Sequence, residues 1–219
     1  MTEAAPAGAS SAGFLVLLRA VASALPDYRD ALNRLDGVAG DGDLGLTVTT
    51  ACRALLELAP SLDSMTEAAA IRAAGMEIAK KAPSTGGTLI AFAFMAAAKA
   101  TVDPAAPGLE RAAAYLDAAT TSVAQRGQVA PGDRTMLDAL QPAAEVLRNA
   151  MPGEVSPENA LLMAMVAADA GAAATASMAA KVGRAGWLAE RAAGHEDAGA
   201  RLIAIALAAA SEGFDPQPS

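Results

Sequence analysis

Apolar residues recur along this chain at spacings of three and four, the period of a helix with one buried face. The first such segment starts near Ser11 with Phe14, Leu15, Leu17, Leu18, Val21 and Leu25, is interrupted near Pro26, and resumes from Tyr28 to Leu35. A second helix is predicted over about 44–58, stopping before Pro60. The third begins at Thr66 with Glu67 in its first turn and ends on Lys80 and Lys81, charges that suit the two ends of a helix dipole. The fourth, over about 88–100, is apolar on nearly every side and is expected to be buried all round. Four more follow over about 109–126, 134–150, 157–182 and 200–212. Ser156 caps the seventh and Pro157 takes its first position. No alternating β-branched run occurs. The pattern predicts an all-α chain of roughly eight helices, one domain over 11–212 between a disordered Ala/Pro/Ser lead (1–10) and a tail (213–219).

Composition narrows the class. Hydrophobic residues make up 53% of the 219 residues but aromatics only 3%, because much of the apolar content is alanine, the best helix former and small enough for close helix contacts. A net charge of −8 and a pI near 4.6 leave no basic stripe for nucleic acid. The single cysteine, Cys52, excludes an internal disulfide and a cysteine zinc cluster. One histidine, His195, gives His-based metal sites little material, and a structural place in its loop is expected for it. Met1 to Ser10 lacks the positive region of a signal peptide. The longest uncharged run, Ala82–Ala98, contains Pro83, Ser84, Gly86 and Gly87, and its helical part is too short to span a bilayer. These features predict a soluble cytoplasmic protein without nucleic-acid or membrane partners.

The chemistry concentrates between the first two helices, in Asp36-Gly-Val-Ala-Gly-Asp41-Gly-Asp43-Leu-Gly45. On a regular helix the three carboxylates would scatter over different faces. Gly37, Gly40 and Gly42 permit a tighter path, so a loop can gather the carboxylates at one point. Crowded carboxylates repel unless a proton or a hard cation intervenes. Mg2+, which prefers oxygen and shares its ligands with phosphates, is the natural candidate. The helix that starts at Leu44 points its first amides at the same place, as an anion site requires. Taken alone, an acidic glycine turn is also a common solvated connector. An EF-hand fails, since Thr47 and Cys52 stand where Glu is needed. Gly40-x-Gly42-x-x-Gly45 matches the dinucleotide fingerprint as a string, but helical spacing precedes it where a strand is required.

Five segments together resemble the L subunit, or L domain, of dihydroxyacetone kinases, from about Leu32 to Gly199. They are Leu35-Asp-Gly-Val-Ala-Gly-Asp-Gly-Asp43, Ser84-Thr-Gly-Gly-Thr88, Arg126-Gly127, Pro131-Gly-Asp-Arg-Thr-Met-Leu-Asp138, and Gly183-Arg-Ala-Gly-Trp-Leu-Ala-Glu-Arg191 through Gly194-His-Glu-Asp-Ala-Gly199. The resemblance implies an antiparallel barrel of eight helices with a nucleotide, ADP or ATP, and two Mg2+ ions held by the loops at one end. It implies that Asp36, Asp41 and Asp43 ligate metal, that Leu44, Gly45, Leu46 and Thr47 cradle phosphate, and that Thr88 and Leu89 form a second phosphate loop. Gly127 and Met136 would line the nucleotide, Arg184 would face the phosphates in a catalytic role, and Asp197, Ala198 and Gly199 would close over it.

The chain departs from the family pattern at three points. Leu44 replaces a common histidine, Leu89 a usual serine and Ala198 a usual proline. The first two remove polar side chains but keep backbone amides. Nothing in the chain resembles the K part that holds the keto sugar, so the expectation is a phosphoryl-transfer subunit for dihydroxyacetone or a similar short ketose, working with a K-type partner. Its phosphate would come from ATP, or through bound ADP recharged by a phosphohistidine carrier protein. The alternatives are a nucleotide-binding module with reduced or no catalysis, and the nucleotide domain of a fatty-acid-kinase-like system.

Overall fold

Small side chains decide how the helices meet. The computed structural model describes residues 9–150, 154–182, 186 and 189–214, and among them every regular element is helical. In chain order these are α1 (Ala12–Ala24), a 3-10 turn (Leu25–Tyr28), α2 (Arg29–Ala39), α3 (Leu44–Leu62), α4 (Glu67–Lys81), α5 (Thr85–Ala97), α6 (Gly108–Gly127), α7 (Leu137–Asn149), α8 (Pro157–Ala174), a 3-10 turn (Thr175–Ser177), the single turn α9 (Ala189–Ala192) and α10 (Ala198–Gly213). Each of α3 to α8 packs on the next, α8 packs on α10, and α10 and α3 both pack on α1. The result is a closed antiparallel ring of eight helices, as the all-α prediction holds. The ninth long helix, α2, is the second half of the first predicted one and lies against α3, α9 and α10.

Alanine stripes make the close contacts. Ala160, Ala164, Ala168 and Ala172 of α8 are fully buried, one per turn, against Ala139 and Ala143 of α7 and Ala200 and Ala204 of α10. A larger cluster joins Leu15, Leu18 and Leu25, Leu32, Val48, Cys52, Leu55 and Leu62, and Ile78 across α1 to α4. An apolar cavity of about 340 Å³ opens among α1, α3, α5 and α10, with Phe14 and Phe94 both on its wall, edge to face at 6.5 Å. By length and mean hydropathy Pro157–Ser177 could cross a membrane, yet α8 takes its place in the ring.

Several predicted boundaries move. α3 runs through Pro60 to Leu62, because Leu62 is fully buried and its carbonyl accepts from Ser11 Oγ at 2.9 Å. α5 starts three residues early, where Ser84 caps it by accepting from Gly87 N. It is not buried all round: Ala91, Ala93 and Ala97 are buried, while Phe92 and Phe94 are partly exposed, since a ring helix keeps an outer face. α7 begins at Leu137 rather than Arg134, because Asp138 draws the amides of Gly132 and Thr135 into a turn. α8 ends at Ala174, eight residues short of 182. The Ala9 carbonyl accepts from Glu67 N, so that end of the predicted lead is tied to α4; residues 1–8 and 215–219 lie outside the described residues.

Every second connection of an antiparallel ring falls at the same end. The segments 40–43, 82–84, 128–136, 175–182 and 189–197 therefore share one end, and these carry much of the glycine and aspartate pattern of the sequence.

Candidate functional site

The acidic loop is shaped by one face of α2. Asn33 and Asp36 lie one turn apart, and between them they accept four backbone amides. Asp36 Oδ2 takes Gly42 N at 2.8 Å and Asp43 N at 3.1 Å. Asn33 Oδ1 takes Gly45 N at 2.7 Å and Leu46 N at 3.3 Å. Gly42 makes the reversal with φ +76, which other residues adopt only at a cost. A side chain at Gly45 would collide with the Arg29 carbonyl, and one at Gly40 with the Asp36 carboxylate. Asp43 occupies the N-cap position of α3 but does not cap it through its side chain; Asn33 does that from the neighbouring helix. One carboxylate oxygen from each of Asp36, Asp41 and Asp43 then falls within 4.8 Å of the others, with Asp36 half-buried and the other two exposed. All-oxygen ligands at that spacing fit a hard divalent cation.

A second group of predicted residues meets on the other side of the same end. Leu89, Val129, Met136 and Leu137 pack together, and a Cβ at Gly127 would stand 3.8 Å from Leu89. One at Gly199 would stand 3.4 Å from Met136 Cβ. Asp197 caps α10 by accepting from Ala200 N at 2.8 Å, and its own amide donates to Thr175 Oγ1 at 2.8 Å. Burial pushes the Asp197 carboxyl up to about 6, against the lowering pull of the Ala200 amide and of Arg134. Arg134 is buried, and its Nη2 donates to the carbonyls of Ala192, His195 and Glu196 at 3.1, 2.8 and 3.3 Å. Lys181 Nζ sits 2.8 Å from Asp133 Oδ1, bridging two segments of the same end.

The two groups connect through a small apolar contact. Ala39, which ends α2, packs on Ala180 and Ala192, and the Ala192 carbonyl is one of the three held by Arg134. A continuous path therefore runs from the carboxylates to Met136 and Gly199.

Of the predicted residues, the structure brings Asp36, Asp41 and Asp43 together, and separately Leu89, Gly127, Met136 and Asp197–Gly199. Thr88 is exposed in the first turn of α5, its amide donating to Ser84. Leu46 is also exposed, at the first turn of α3, while the Thr47 amide enters the regular helix through the Asp43 carbonyl. The Leu44 side chain packs on the main core and lines the apolar cavity, leaving its backbone at the start of α3. Its successors Val48, Cys52 and Leu55 continue that stripe. Arg184, the expected phosphate-facing arginine, lies outside the described residues. Sequence reasoning missed Asn33, Arg134, Asp138 and Thr175. Asn33 left a local signal, a polar residue one turn before Asp36 on the helix that feeds the glycine turn, and Arg134 and Asp138 stand in the Pro131–Asp138 segment without a role assigned from it.

Comparison with known proteins places this geometry. The DAK2 domain model matches residues 38–212. D-erythrulose kinase of Mycolicibacterium smegmatis is 37% identical over 188 residues, 85% of this chain but 32% of that protein. The PEP-dependent dihydroxyacetone kinase ADP-binding subunit DhaL of Escherichia coli is 32% identical over 172 residues, 78% of this chain and 82% of that one. The chain therefore spans about a third of the first relative and most of the second. The dihydroxyacetone kinase of C. freundii, solved in complex with AMP-PNP and Mg2+, superposes with a TM-score of 0.70 at 28% identity, covering 98% of this chain and 37% of that one.

Proposed function

Because the chain belongs to the DAK2 family, as an L-type domain of dihydroxyacetone kinases, we propose that it is the nucleotide- and Mg2+-binding phosphoryl-transfer subunit of a kinase for dihydroxyacetone or a similar short ketose. The observation that carries this reading is the convergence of the Asp36, Asp41 and Asp43 oxygens within 4.8 Å beside the N-terminus of α3. Asp36, Asp41 and Asp43 would hold two Mg2+ ions there, and the metal would supply positive charge against the phosphates.

The chain's own part is binding and orientation. Asp36 is aimed by two amides, so its position does not depend on a mobile rotamer. The Gly45 and Leu46 amides already donate to Asn33. A phosphate at the start of α3 thus takes those donors by sharing them with Asn33 or displacing it. The apolar group of Leu89, Gly127 and Met136 suits the flat, uncharged part of a nucleotide, with Asp197, Ala198 and Gly199 closing beside it. Arg184 would offer a planar fork to phosphoryl oxygens. No protein nucleophile is required, since phosphoryl transfer rests on positioning and electrostatics.

The sugar side belongs to a K-type partner subunit. An acceptor hydroxyl has to be held in line with the terminal phosphate, and such positioning supplies roughly 7–11 kcal/mol of the barrier. A coupled assay for ADP formation tests this with each subunit alone and with both; sugar-dependent turnover is expected only with both. Robust turnover by this chain alone would overturn the two-subunit reading. Mass spectrometry of the isolated protein separates the donors: retained ADP favours recharging by a phosphohistidine carrier, and no bound nucleotide favours ATP directly. A second reading, nucleotide binding with reduced catalysis, is favoured by the inward side chain of Leu44, which leaves no imidazole beside the phosphates.

A further inference from the structure

Arg134 is held as few surface-loop arginines are. It is 4% exposed and adopts φ +63, a conformation that a branched or long residue keeps only when its surroundings fix it. All three of its recorded hydrogen bonds leave from Nη2 and end on main-chain carbonyls, those of Ala192, His195 and Glu196. Its Nε is buried and has no hydrogen-bond partner among the described residues. A buried guanidinium whose hydrogen bonds end on backbone 58 to 62 residues away in sequence fixes where one segment lies against another.

The two segments are those assigned above to the nucleotide. Two residues beyond Arg134 stands Met136, and one residue beyond Glu196 stands Asp197, which starts α10. Gly199 follows, close enough that a Cβ there would stand 3.4 Å from Met136 Cβ. The Asp197 carboxylate, buried and near Asp138 as well as Arg134, adds a charge that a neutral residue at 134 would leave less balanced. We infer that Arg134 is a positioning residue for the nucleotide, fixing how the Met136 and Gly199 segments pack on each other by anchoring the 192–196 turn. This rests on the proposed nucleotide role of those segments. It predicts an effect on nucleotide binding that is larger than any on metal binding, because the carboxylate loop is shaped by the hydrogen bonds of Asn33 and Asp36 and meets the Arg134-anchored turn through the Ala39–Ala192 contact.

The test uses the full chain with Arg134→Met and Arg134→Lys. Four quantities are read: calorimetric affinity for ADP with Mg2+, affinity for Mg2+ alone, nucleotide KM and kcat with the partner subunit, and amide exchange over 192–198. Arg134→Met should weaken ADP binding and raise KM at least tenfold, change kcat less than threefold, and leave Mg2+ affinity unchanged. Exchange should quicken over 192–198 and not in α3. Lys keeps the charge but offers no planar fork, so it should fall between wild type and Met, and it carries the test alone if the Met variant does not fold. Faster exchange with unchanged ADP affinity in both variants would overturn the inference while sparing the proposed function. Parallel losses in ADP affinity, Mg2+ affinity and kcat would overturn it as well, marking a general structural role. A wild-type chain that binds no nucleotide would instead sink the proposed function on which it rests.

Discussion

The two ends of the ring bury or gather negative charge in opposite ways. At the end away from the site, Glu67 opens α4 at 6% exposure and is engaged by side chains. Arg111 Nε and Tyr115 Oη both donate to Glu67 Oε2 at 2.9 Å. Burial, with the adjoining carboxylate, pushes the Tyr115 hydroxyl up to about 12, so it stays a neutral donor. That cluster is a strut, with its charge cancelled where it stands. At the other end Asp36 is held by backbone amides, which orient a carboxylate without neutralising it. The same amides turn the chain so that Asp41 and Asp43 face the same point. A carboxylate met by an arginine holds helices together. Carboxylates converged by a glycine turn bring their oxygens to one point, where we propose that they take a cation from outside.

The strongest way to break this contrast is to remove two of the converged carboxylates. Asp41→Asn combined with Asp43→Asn should lower sugar-dependent turnover by about 1,000-fold or more, since metal contacts supply several kcal/mol at the transition state. It should also abolish stabilisation by Mg2+ and nucleotide, which at 100 times the dissociation constant amounts to about 2.7 kcal/mol. Thermal melts with and without both ligands provide the check. A double variant retaining the full ligand-dependent shift would show that the carboxylates are a solvated turn.

The complementary change is at the strut. Glu67→Gln keeps the shape but leaves Arg111, only 20% exposed in its side chain, without a counter-charge. Removing one partner of a buried pair typically costs about 3 kcal/mol or more. Urea unfolding should register a loss of about that size, while the ligand-induced rise in melting midpoint stays as in wild type. Loss of the ligand effect would mean the two ends are coupled, against the division drawn here.

Much of this contrast is legible in sequence, and the illegible part has a common cause. Helix periodicity announces that a face is buried, so the helices and their order can be read. It does not say which helix covers the face, and the closing contact of α1 with α10 emerges only in three dimensions. The acidic loop is legible because glycine and aspartate within ten residues dictate local chemistry. Arg134, Asp138 and Thr175 are not, since their roles lie in contacts with backbone that helix patterns cannot locate. Leu44 is instructive in the other direction. Its place at the start of α3, proposed to meet phosphate, suggests a side chain beside the ligand, yet the spacing Leu44, Val48, Cys52, Leu55 already marks it as the first residue of the buried stripe.

A smaller effect separates the site's own two halves. The raised Asp197 carboxyl, about 6 in the fold against about 3.9 unfolded, works against the native state once ionised. The protonated form is the better tolerated one, so its contribution is intact below about pH 4 and lost as pH rises through about 6. Asp197→Asn keeps a capping oxygen for Ala200 and removes that titration. The difference in stability between variant and wild type should therefore change by about 1–3 kcal/mol in the variant's favour between pH 4 and 7, measured by urea unfolding at stepped pH. A pH-independent difference would show that Asp197 remains ionised throughout.

The smallest expected effect is also the most discriminating for the phosphate side. Asn33 satisfies the Gly45 and Leu46 amides from a neighbouring helix, a task that an ordinary N-cap performs from within its own chain segment. Asn33→Ala should cost the ligand-free protein about 1 kcal/mol, the usual worth of a lost cap. If phosphate takes up those amides, the bound state has already exchanged Asn33 for the ligand, and the same substitution should then cost it less. The ligand-induced rise in melting midpoint would be larger in Asn33→Ala than in wild type. If phosphate binds elsewhere at this end, the cost is the same with and without nucleotide, and the α3 amides serve only to hold the acidic loop. A smaller ligand-induced rise in the variant would mean that Asn33 itself helps to hold the nucleotide.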